Sequence, residues 1–422
     1  EALAKWYMSI EMLKSLRKFG LEYCDFPTML WNISVMLRGL TLNIDSMYKR
    51  RIPFIFHIFT IATVGCYIYV YVFSTFWCVF WIYPKTGDFV TATTLFSFAI
   101  SSQMGPFKLI FIKTLTKLLD EYRIVDGFVD PKSRMRENIK NTLRLIKKRA
   151  LTFWSVLVMN CFVYVIKPII LPGRNLMEES QILYGLEPMI ESPNYEINFV
   201  VMIGAVIFAL YPVANITALL IILTGYTEAL MLALKEELLH MWHEAQDHYK
   251  IYVKNSNAYE NDSNVRCRKD EIINTYIKNK LEEIAKTHAL NINLVKQLEH
   301  IFSGGIVVEF LLLIISFIAA LLGGLENTWS VVPYASMQVS MDCLTGQRLI
   351  DACTEFENAV YNCNWENFDV SNRKTVLLML QMSQKTVMLS AGGIATLNFK
   401  SLMSITRIVY SAYTTLRSTV NV

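Results

Sequence analysis

The hydrophobic positions of this 422-residue chain gather into long runs, and most polar positions lie between those runs. A helix needs about 20 apolar residues to cross a bilayer. Seven runs meet or approach that length, so we predict seven membrane-spanning helices, S1 to S7. They lie at about 53–82, 89–112, 150–171, 199–233, 301–323, 329–350 and 390–418. S6 is the weakest prediction, because Gln338, Asp342 and Gln347 interrupt it.

The segments between the runs alternate in charge. Residues 1–52 contain eight Lys and Arg, 113–149 contain eleven and 234–300 contain ten, whereas 172–198 contain only Arg174 and five Glu. Basic residues next to membrane spans favour the cytosolic side. We therefore predict a cytosolic N-terminus, basic cytosolic segments at 113–149 and 234–300, an acidic outer loop at 172–198, and an extracellular C-terminus.

Helical periodicity continues outside the spans. Residues 1–52 begin with an amphipathic segment, and apolar residues recur at helical spacing on both sides of a polar break at about 254–270. The first membrane segment, 53–233, ends with S4, and the second, 301–350, begins with S5. We thus expect S4 and S5 to extend as helices through 234–300. We expect 351–389 to join these extensions in a cytosolic helical anchor domain, before S7 within 390–422. The predicted fold is an all-α membrane protein with seven transmembrane helices.

Composition agrees with a membrane protein and argues against catalysis. Hydrophobic residues make up 53% of the chain and charged residues 18%, against about 25% charged residues in soluble domains. We find no nucleophile–base arrangement, Gly-rich phosphate loop or metal signature, so we predict no enzyme activity, no cofactor and no metal. The cluster His240, His243, Glu244 and His248 is interpreted as a solvated helix face. The basic segments are expected to meet membrane lipid, not nucleic acid.

The end of the chain carries a distinctive pattern. The motif YxxxW stands at 361–365, QK at 384–385 and YSxY at 410–413. With the inside-N seven-span layout, this pattern closely resembles the C-terminal signature of insect odorant receptors, and the resemblance covers nearly the whole chain. The long S4–S5 insertion of the odorant co-receptor is missing, so the chain resembles a ligand-tuning subunit.

The resemblance implies a tetramer with the co-receptor around a central cation pore lined by S7. It also implies an odorant pocket in the outer halves of S2, S3, S4 and S6, and a place in the plasma membrane of sensory-neuron dendrites. The sequences YGLEPM at 184–189 and ESPNYEI at 191–197 are similar to moth sex-pheromone receptors. That similarity implies a volatile long-chain alcohol, aldehyde or acetate as ligand.

Aromatic and soft apolar residues in the predicted outer halves are our candidates for ligand binding, since ligand sites are mostly apolar with a few polar anchors. They are Phe89, Thr94, Phe96, Phe162, Tyr164, Phe199, Met202, Phe208, Tyr334, Met337, Gln338 and Met341. Candidates for the pore and gate are Ser411, Thr414, Thr415, Leu416 and Thr419. Candidates for packing in the anchor domain are Tyr361, Trp365, Gln384 and Lys385.

Charged residues inside apolar runs are costly and therefore informative. We expect Glu228, Glu309, Asp342 and Lys400 to pair between helices. Lys108 and Lys167 lie near predicted span ends, so we expect their ammonium groups to extend to the membrane surface.

Three other classes of membrane protein are alternatives. A G-protein-coupled receptor is opposed by the predicted orientation and by the missing Asp/Glu–Arg–Tyr and Asn–Pro–x–x–Tyr motifs. A transporter of small apolar molecules stays open, although no internal repeat is visible. A gustatory-type receptor channel also stays open, although the chain lacks that family's Thr–Tyr and Gln–Phe ending.

Overall fold

The computed structural model describes residues 17–44, 51–256, 263–385 and 387–420. This part of the chain is almost entirely helical. The helices are α1 (Phe26–Arg38), α2 (Phe54–Thr86), α3 (Phe89–Ser102), α4 (Met104–Phe128), α5 (Arg134–Ile170), α6 (Asn194–Ser256), α7 (Ser263–Leu322), α8 (Val331–Tyr361), α9 (Val370–Ser383) and α10 (Phe399–Val420). S1 corresponds to α2, S2 to α3 and α4, and S3 to S7 correspond to α5, α6, α7, α8 and α10.

Helix α6 is the centre of the bundle. Helices α1, α2, α4, α5, α7 and α8 all pack on it. It is buried almost all round from Val213 to Leu234, which explains why its apolar residues show no single face. A helix that is apolar on every side needs protein or lipid on every side.

Helix α6 continues to Ser256 and α7 begins at Ser263, so both pass through the segment 234–300 in which helical extensions of S4 and S5 are predicted. Residues 257–262, in the middle of the predicted polar break, lie outside the described residues, as do residues 1–16 of the predicted amphipathic segment. The basic segment 113–149 was expected to form a loop, and that prediction is wrong because most of it is helical. Only 129–133 separate α4 from α5 there, because apolar positions recur at helical spacing between the basic ones.

Four described helices are long and apolar enough by themselves to cross a membrane: α2, α5, α6 and α7. The segments 89–110 and 115–128, which meet at an angle of 64°, form a fifth when counted together. Helices α8 and α10 fall below that threshold. In α8 the polar residues that weaken the apolar run, Gln338 and Asp342, are buried inside the bundle.

The predicted start of S7 at about residue 390 is wrong. Residues Ser390–Ala391 pair with Ala395–Thr396 as a two-stranded antiparallel hairpin. Gly392 and Gly393 form its turn with φ angles of 60° and 72°, a conformation that favours glycine. Helix α10 begins only after Asn398, whose Oδ1 accepts a hydrogen bond from the backbone N–H of Ser401 at 2.8 Å.

A buried lysine fastens the N-terminal segment to α5. The Nζ of Lys147 donates hydrogen bonds to the backbone carbonyls of Lys18, Gly20 and Tyr23 at 3.0, 2.6 and 2.6 Å. Burial lowers the pKa of Lys147. The three carbonyls therefore replace water around this ammonium group, and they hold the start of α1 against the bundle.

A second polar cluster lies in the middle of the bundle and joins four helices. Lys108 on α4 forms an ion pair with Glu309 on α7 at 2.8 Å and donates a hydrogen bond to Thr217 on α6 at 2.5 Å. Gln338 on α8 donates to Thr217 at 3.0 Å and to Asp342 at 3.1 Å. All five side chains are at least nine-tenths buried.

Two predictions about charged residues are tested by these contacts. Pairing between helices is confirmed for Glu309 and also for Glu228, which forms an ion pair with Arg149 of α5 at 2.6 Å. The expectation that Lys108 reaches the membrane surface is wrong. Its ammonium group turns inward instead, because it pairs with Glu309 of α7 and donates to the Thr217 hydroxyl of α6.

We predict that Lys108→Met destabilises the protein by about 3–5 kcal/mol, because it leaves the Glu309 carboxylate buried without a counter-charge. The double variant Lys108→Met with Glu309→Met restores the net charge of the cluster and should recover most of the loss. The measurement is the melting temperature of the detergent-solubilised full chain. Equal losses in the single and double variants would contradict the charge argument.

Candidate ligand-binding cavity

A partly enclosed cavity lies between Tyr71 of α2, the C-terminal ends of α3 and α5, and the N-terminal parts of α6 and α8. Its free volume is about 60 Å³ and its walls are mostly apolar or aromatic. The lining residues are Tyr71, Phe98, Ser101, Ser102, Asn160, Cys161, Tyr164, Val206, Ala209, Leu210, Ser330, Val331 and Tyr334. The Phe98 and Tyr164 rings, which both line it, are in contact, with their centroids 6.0 Å apart and their planes tilted by 40°.

Most polar groups in the cavity wall are already occupied. Ser101 and Ser102 donate to carbonyls of their own helix, and Asn160 donates to the Ser330 carbonyl at 2.9 Å. The Tyr164 hydroxyl, by contrast, is buried and finds no hydrogen-bond partner among the described residues. A buried polar group without a partner is costly, so this hydroxyl is the natural anchor for a polar atom of a ligand.

Comparison with known families places this architecture. The profile of the 7tm Odorant receptor family matches residues 85–410, which is most of the chain. The chain belongs to this odorant receptor family. It is a receptor and not an enzyme.

Individual odorant receptors match shorter stretches. Odorant receptor 22a of Drosophila melanogaster is 24% identical over 162 residues, which cover 36% of this chain and 41% of that receptor. Odorant receptor 30a of the same fly is 39% identical over 59 residues, covering 14% of this chain and 16% of that receptor. The chain thus spans less than half the length of these curated relatives.

Solved structures support the fold over nearly the whole chain. The insect olfactory receptor OR5 from Machilis hrabei, in complex with eugenol, aligns with a TM-score of 0.66 and 10% identity, covering 94% of this chain and 100% of that one. A second structure of OR5 gives a TM-score of 0.62 and 14% identity, covering 92% and 97%. At such identities the likeness shows the fold, which is the helical membrane fold predicted from the sequence.

The structure brings only some of the predicted ligand-binding residues to the cavity of this odorant receptor. Tyr164 and Tyr334 line it. Met202 and Phe208 are buried in the apolar core beside it, and Phe199 packs on that core. The Phe208 ring lies 5.3 Å from that of Tyr67, one turn of helix from the cavity-lining Tyr71.

Other candidates lie elsewhere around the outer end of the bundle. Phe89 and Phe96 line a separate, open hollow of about 440 Å³ beside the end of α2. The Thr94 hydroxyl donates within α3 and to the Gly323 carbonyl at 3.2 Å, so it joins α3 to the end of α7. Phe162 is 57% exposed on the outside of α5.

The last three candidates lie deeper in the bundle. Gln338 belongs to the buried polar cluster around Lys108. Met337 packs on the main apolar core, and Met341 lines a groove at the opposite end of the helices. The run of residues from 334 to 341 on α8 is therefore too long to serve a single cavity, because it covers two turns of helix.

Sequence reasoning missed several residues that line the cavity, notably Tyr71, Phe98, Asn160 and Cys161. Spacing identifies which residues share a helix face but not which face turns inward. Phe96 and Phe98 are equally apolar, yet they lie on different faces of α3. Tyr71 was missed because S1 was not expected to contribute.

The outer loop between α5 and α6 is fastened to α2. The Tyr69 hydroxyl donates to the Tyr184 carbonyl at 2.5 Å, and the Tyr83 hydroxyl donates to the Ser180 carbonyl at 2.6 Å. Gln181 donates to the Val70 carbonyl at 3.3 Å and to the Thr75 hydroxyl at 2.9 Å. These bonds fall where α2 forms π-helical turns at Ile68–Ser74 and Cys78–Ile82, a feature frequent at functional sites.

Helix α10 presents its hydroxyl groups on an open face. All five pore candidates, Ser411, Thr414, Thr415, Leu416 and Thr419, are exposed, whereas Ile405 and Val409 are buried against the bundle. The Thr414 and Thr415 hydroxyls donate to the Ser411 carbonyl, each at 2.9 Å, and Thr419 donates to the Thr415 carbonyl at 2.9 Å. The hydroxyl donors are thus satisfied by the helix itself.

The anchor candidates lie on the surface of the helical domain beyond the spans. Trp365 donates its indole N–H to the Tyr361 carbonyl at 3.0 Å, and both side chains are exposed, as are Gln384 and Lys385. Buried contacts instead come from other residues, such as His288, whose ring stacks on Phe356 at 4.4 Å. Burial lowers the pKa of His288 to about 4.

The His240, His243, Glu244 and His248 cluster forms separate contacts. His240 bonds to the Glu236 carbonyl, and the His248 ring packs on Tyr276. Within the described residues, no three His, Cys, Asp or Glu side chains are grouped to hold a metal.

The outer loop should loosen as pH rises, because burial raises the pKa of Glu178 from 4.5 to about 7. The docked loop binds a proton more tightly than the released loop does, so its stability falls between pH 4.5 and 7. Between pH 6 and 8, opening should increase by up to about tenfold. Glu178→Gln should remove that increase.

Hydrogen exchange of the amides at 176–186, corrected for intrinsic rates, measures this opening. Glu191→Gln is the control, since Glu191 is an exposed carboxylate in the same loop. A pH response that survives in Glu178→Gln would assign it to another group.

Proposed function

We propose that this odorant receptor is the odorant-binding subunit of a ligand-gated, non-selective cation channel. It would assemble with an odorant co-receptor into a tetramer in the plasma membrane of sensory-neuron dendrites. The observation that carries the proposal is the aromatic cavity with a buried, unpartnered hydroxyl on Tyr164, in a chain of the odorant receptor family. Such a cavity suits a small apolar ligand with a single polar group.

The proposed orientation places the N-terminus and the long extensions of α6 and α7 in the cytosol. The excess of Lys and Arg in 113–149 and 234–300 supports it. The cavity then opens toward the outside half of the membrane, beneath the acidic loop at 171–193. An odorant would reach it from the outer side.

The proposed ligand is a long-chain alcohol, aldehyde or acetate. The similarity of the outer loop to moth sex-pheromone receptors supports this class, and so does the apolar wall around the Tyr164 hydroxyl. A cavity of about 60 Å³ is smaller than the roughly 300 Å³ at which ligand pockets begin. Such a ligand must therefore expand the cavity, and it would favour the open channel by binding only the expanded state.

The proposed pore is lined by α10. This helix has an exposed face of small hydroxyl side chains and one apolar residue, Leu416, which would form an apolar ring in a tetramer. Such a face suits a narrow channel that fills with water when it opens. In a single chain this face has no neighbour among the described helices, which agrees with a role between subunits.

The proposal is tested by recording currents from oocytes that express this chain with and without an odorant co-receptor. We expect one or two long-chain alcohols, aldehydes or acetates to evoke current only when the co-receptor is present. Current without the co-receptor would favour a gustatory-type channel. Uptake of the compound without current, despite confirmed surface expression, would favour a transporter.

In the same assay, Tyr164→Phe should raise the ligand concentration for half-maximal current by about 2- to 10-fold, because it removes one hydrogen bond of roughly 0.5–1.5 kcal/mol. Phe162→Leu is the matched control, since Phe162 lies on the exposed side of the same helix. We expect it to leave the response unchanged. The reverse pattern would move the ligand to the outside of α5.

A further inference from the structure

A basic groove lies at the opposite end of the bundle from the odorant cavity, between α5, α6 and α8. Its free volume is about 550 Å³. Its lining residues are Thr142, Leu145, Lys148, Arg149, Thr152, Glu228, Leu232, Met341, Leu344 and Arg348. No part of the proposed odour response uses this groove.

Cations outnumber anions in the groove. Arg149 and Glu228 neutralise each other in their 2.6 Å ion pair. Lys148 and Arg348 are exposed, and no hydrogen bond or ion pair holds either of them within the described part of the chain. Asp351 lies one turn beyond Arg348 and accepts a hydrogen bond from the neutral amide of Gln347 at 2.8 Å, so it stays an anion. Three cations then face two anions, and a net positive charge remains at the rim.

The groove lies at the level of the membrane boundary that the sequence predicts. S3 was predicted to begin at about 150, S4 to end at about 233 and S6 to end at about 350. The basic residues Lys148, Arg149 and Arg348 therefore lie at the level of the lipid headgroups. The apolar residues Met341 and Leu344 lie one to two turns deeper, at the level of the acyl chains.

We propose that this groove binds an anionic phospholipid of the cytosolic leaflet, with its phosphate held by Lys148 and Arg348 and the start of its acyl chains on Met341 and Leu344. The cations at the rim attract the anionic headgroup, and the apolar floor binds acyl chain. A free anion would leave that floor exposed to water, so the groove favours a lipid over a free anion. The volume lies within the range of about 300–1,000 Å³ typical of small-molecule sites. The inference rests on the proposed orientation but not on the odour response.

The test measures thermal unfolding of the detergent-solubilised full chain while dioctanoyl phosphatidylserine, dioctanoyl phosphatidylcholine or glycerol 3-phosphate is added. We expect phosphatidylserine to raise the melting temperature and the other two to have little effect. The double variant Lys148→Gln with Arg348→Gln should need roughly 30-fold more phosphatidylserine for the same shift, at about 1 kcal/mol for each cation. Raising the salt concentration should weaken the wild-type shift.

The matched control is Lys140→Gln with Arg144→Gln, which removes two exposed cations from the same helix outside the groove. It should keep the wild-type response. Equal losses in both double variants, or an equal shift with phosphatidylcholine, would overturn the site in favour of nonspecific lipid binding. A full shift with glycerol 3-phosphate alone would overturn the lipid in favour of a free phosphate. Because this test measures lipid binding and not current, the lipid site and the channel function can each fail without the other.

Discussion

The ion pair between Lys108 and Glu309 ties together helices that are far apart in sequence. Lys108 comes from α4, Glu309 from α7 and the shared Thr217 hydroxyl from α6, while Gln338 and Asp342 add α8. Two carboxylates and one ammonium group in an apolar interior have few satisfactory arrangements, because each must keep a partner. The cluster therefore fixes how four helices meet. On α6 its member Thr217 lies between the residues that line the candidate cavity and those that line the basic groove.

Beyond that cluster, α2 contributes Tyr71 to the wall of the candidate cavity. Its π-helical turns alter the backbone where the outer loop attaches, and tyrosine hydroxyls carry much of the attachment. In the cavity wall, the buried Tyr164 hydroxyl finds no hydrogen-bond partner among the described residues. Recognition in such a site comes mainly from shape, with one polar contact to orient the ligand.

The sequence predicted the long helices well, because runs of apolar residues and their spacing are local properties. It predicted the extensions of α6 and α7 for the same reason. It did not predict the rotation of each helix, so Tyr164 was found and Phe98 was missed. Nor did it predict that Lys108 turns inward, since its partners lie on α6 and α7. The hairpin at Gly392 and Gly393 lies inside an apolar run, and the two glycines were the only sequence signal of a turn there.

The continuity of α6 and α7 has a mechanical consequence. At 63 residues and about 1.5 Å per residue, α6 is roughly 95 Å long, and it runs past the candidate cavity and the basic groove to Ser256. A tilt of about 1° around one end displaces the other by about 1.6 Å at that length. Small changes of tilt at one end of α6 are thus converted by leverage into displacements as large as an atomic radius at its other end.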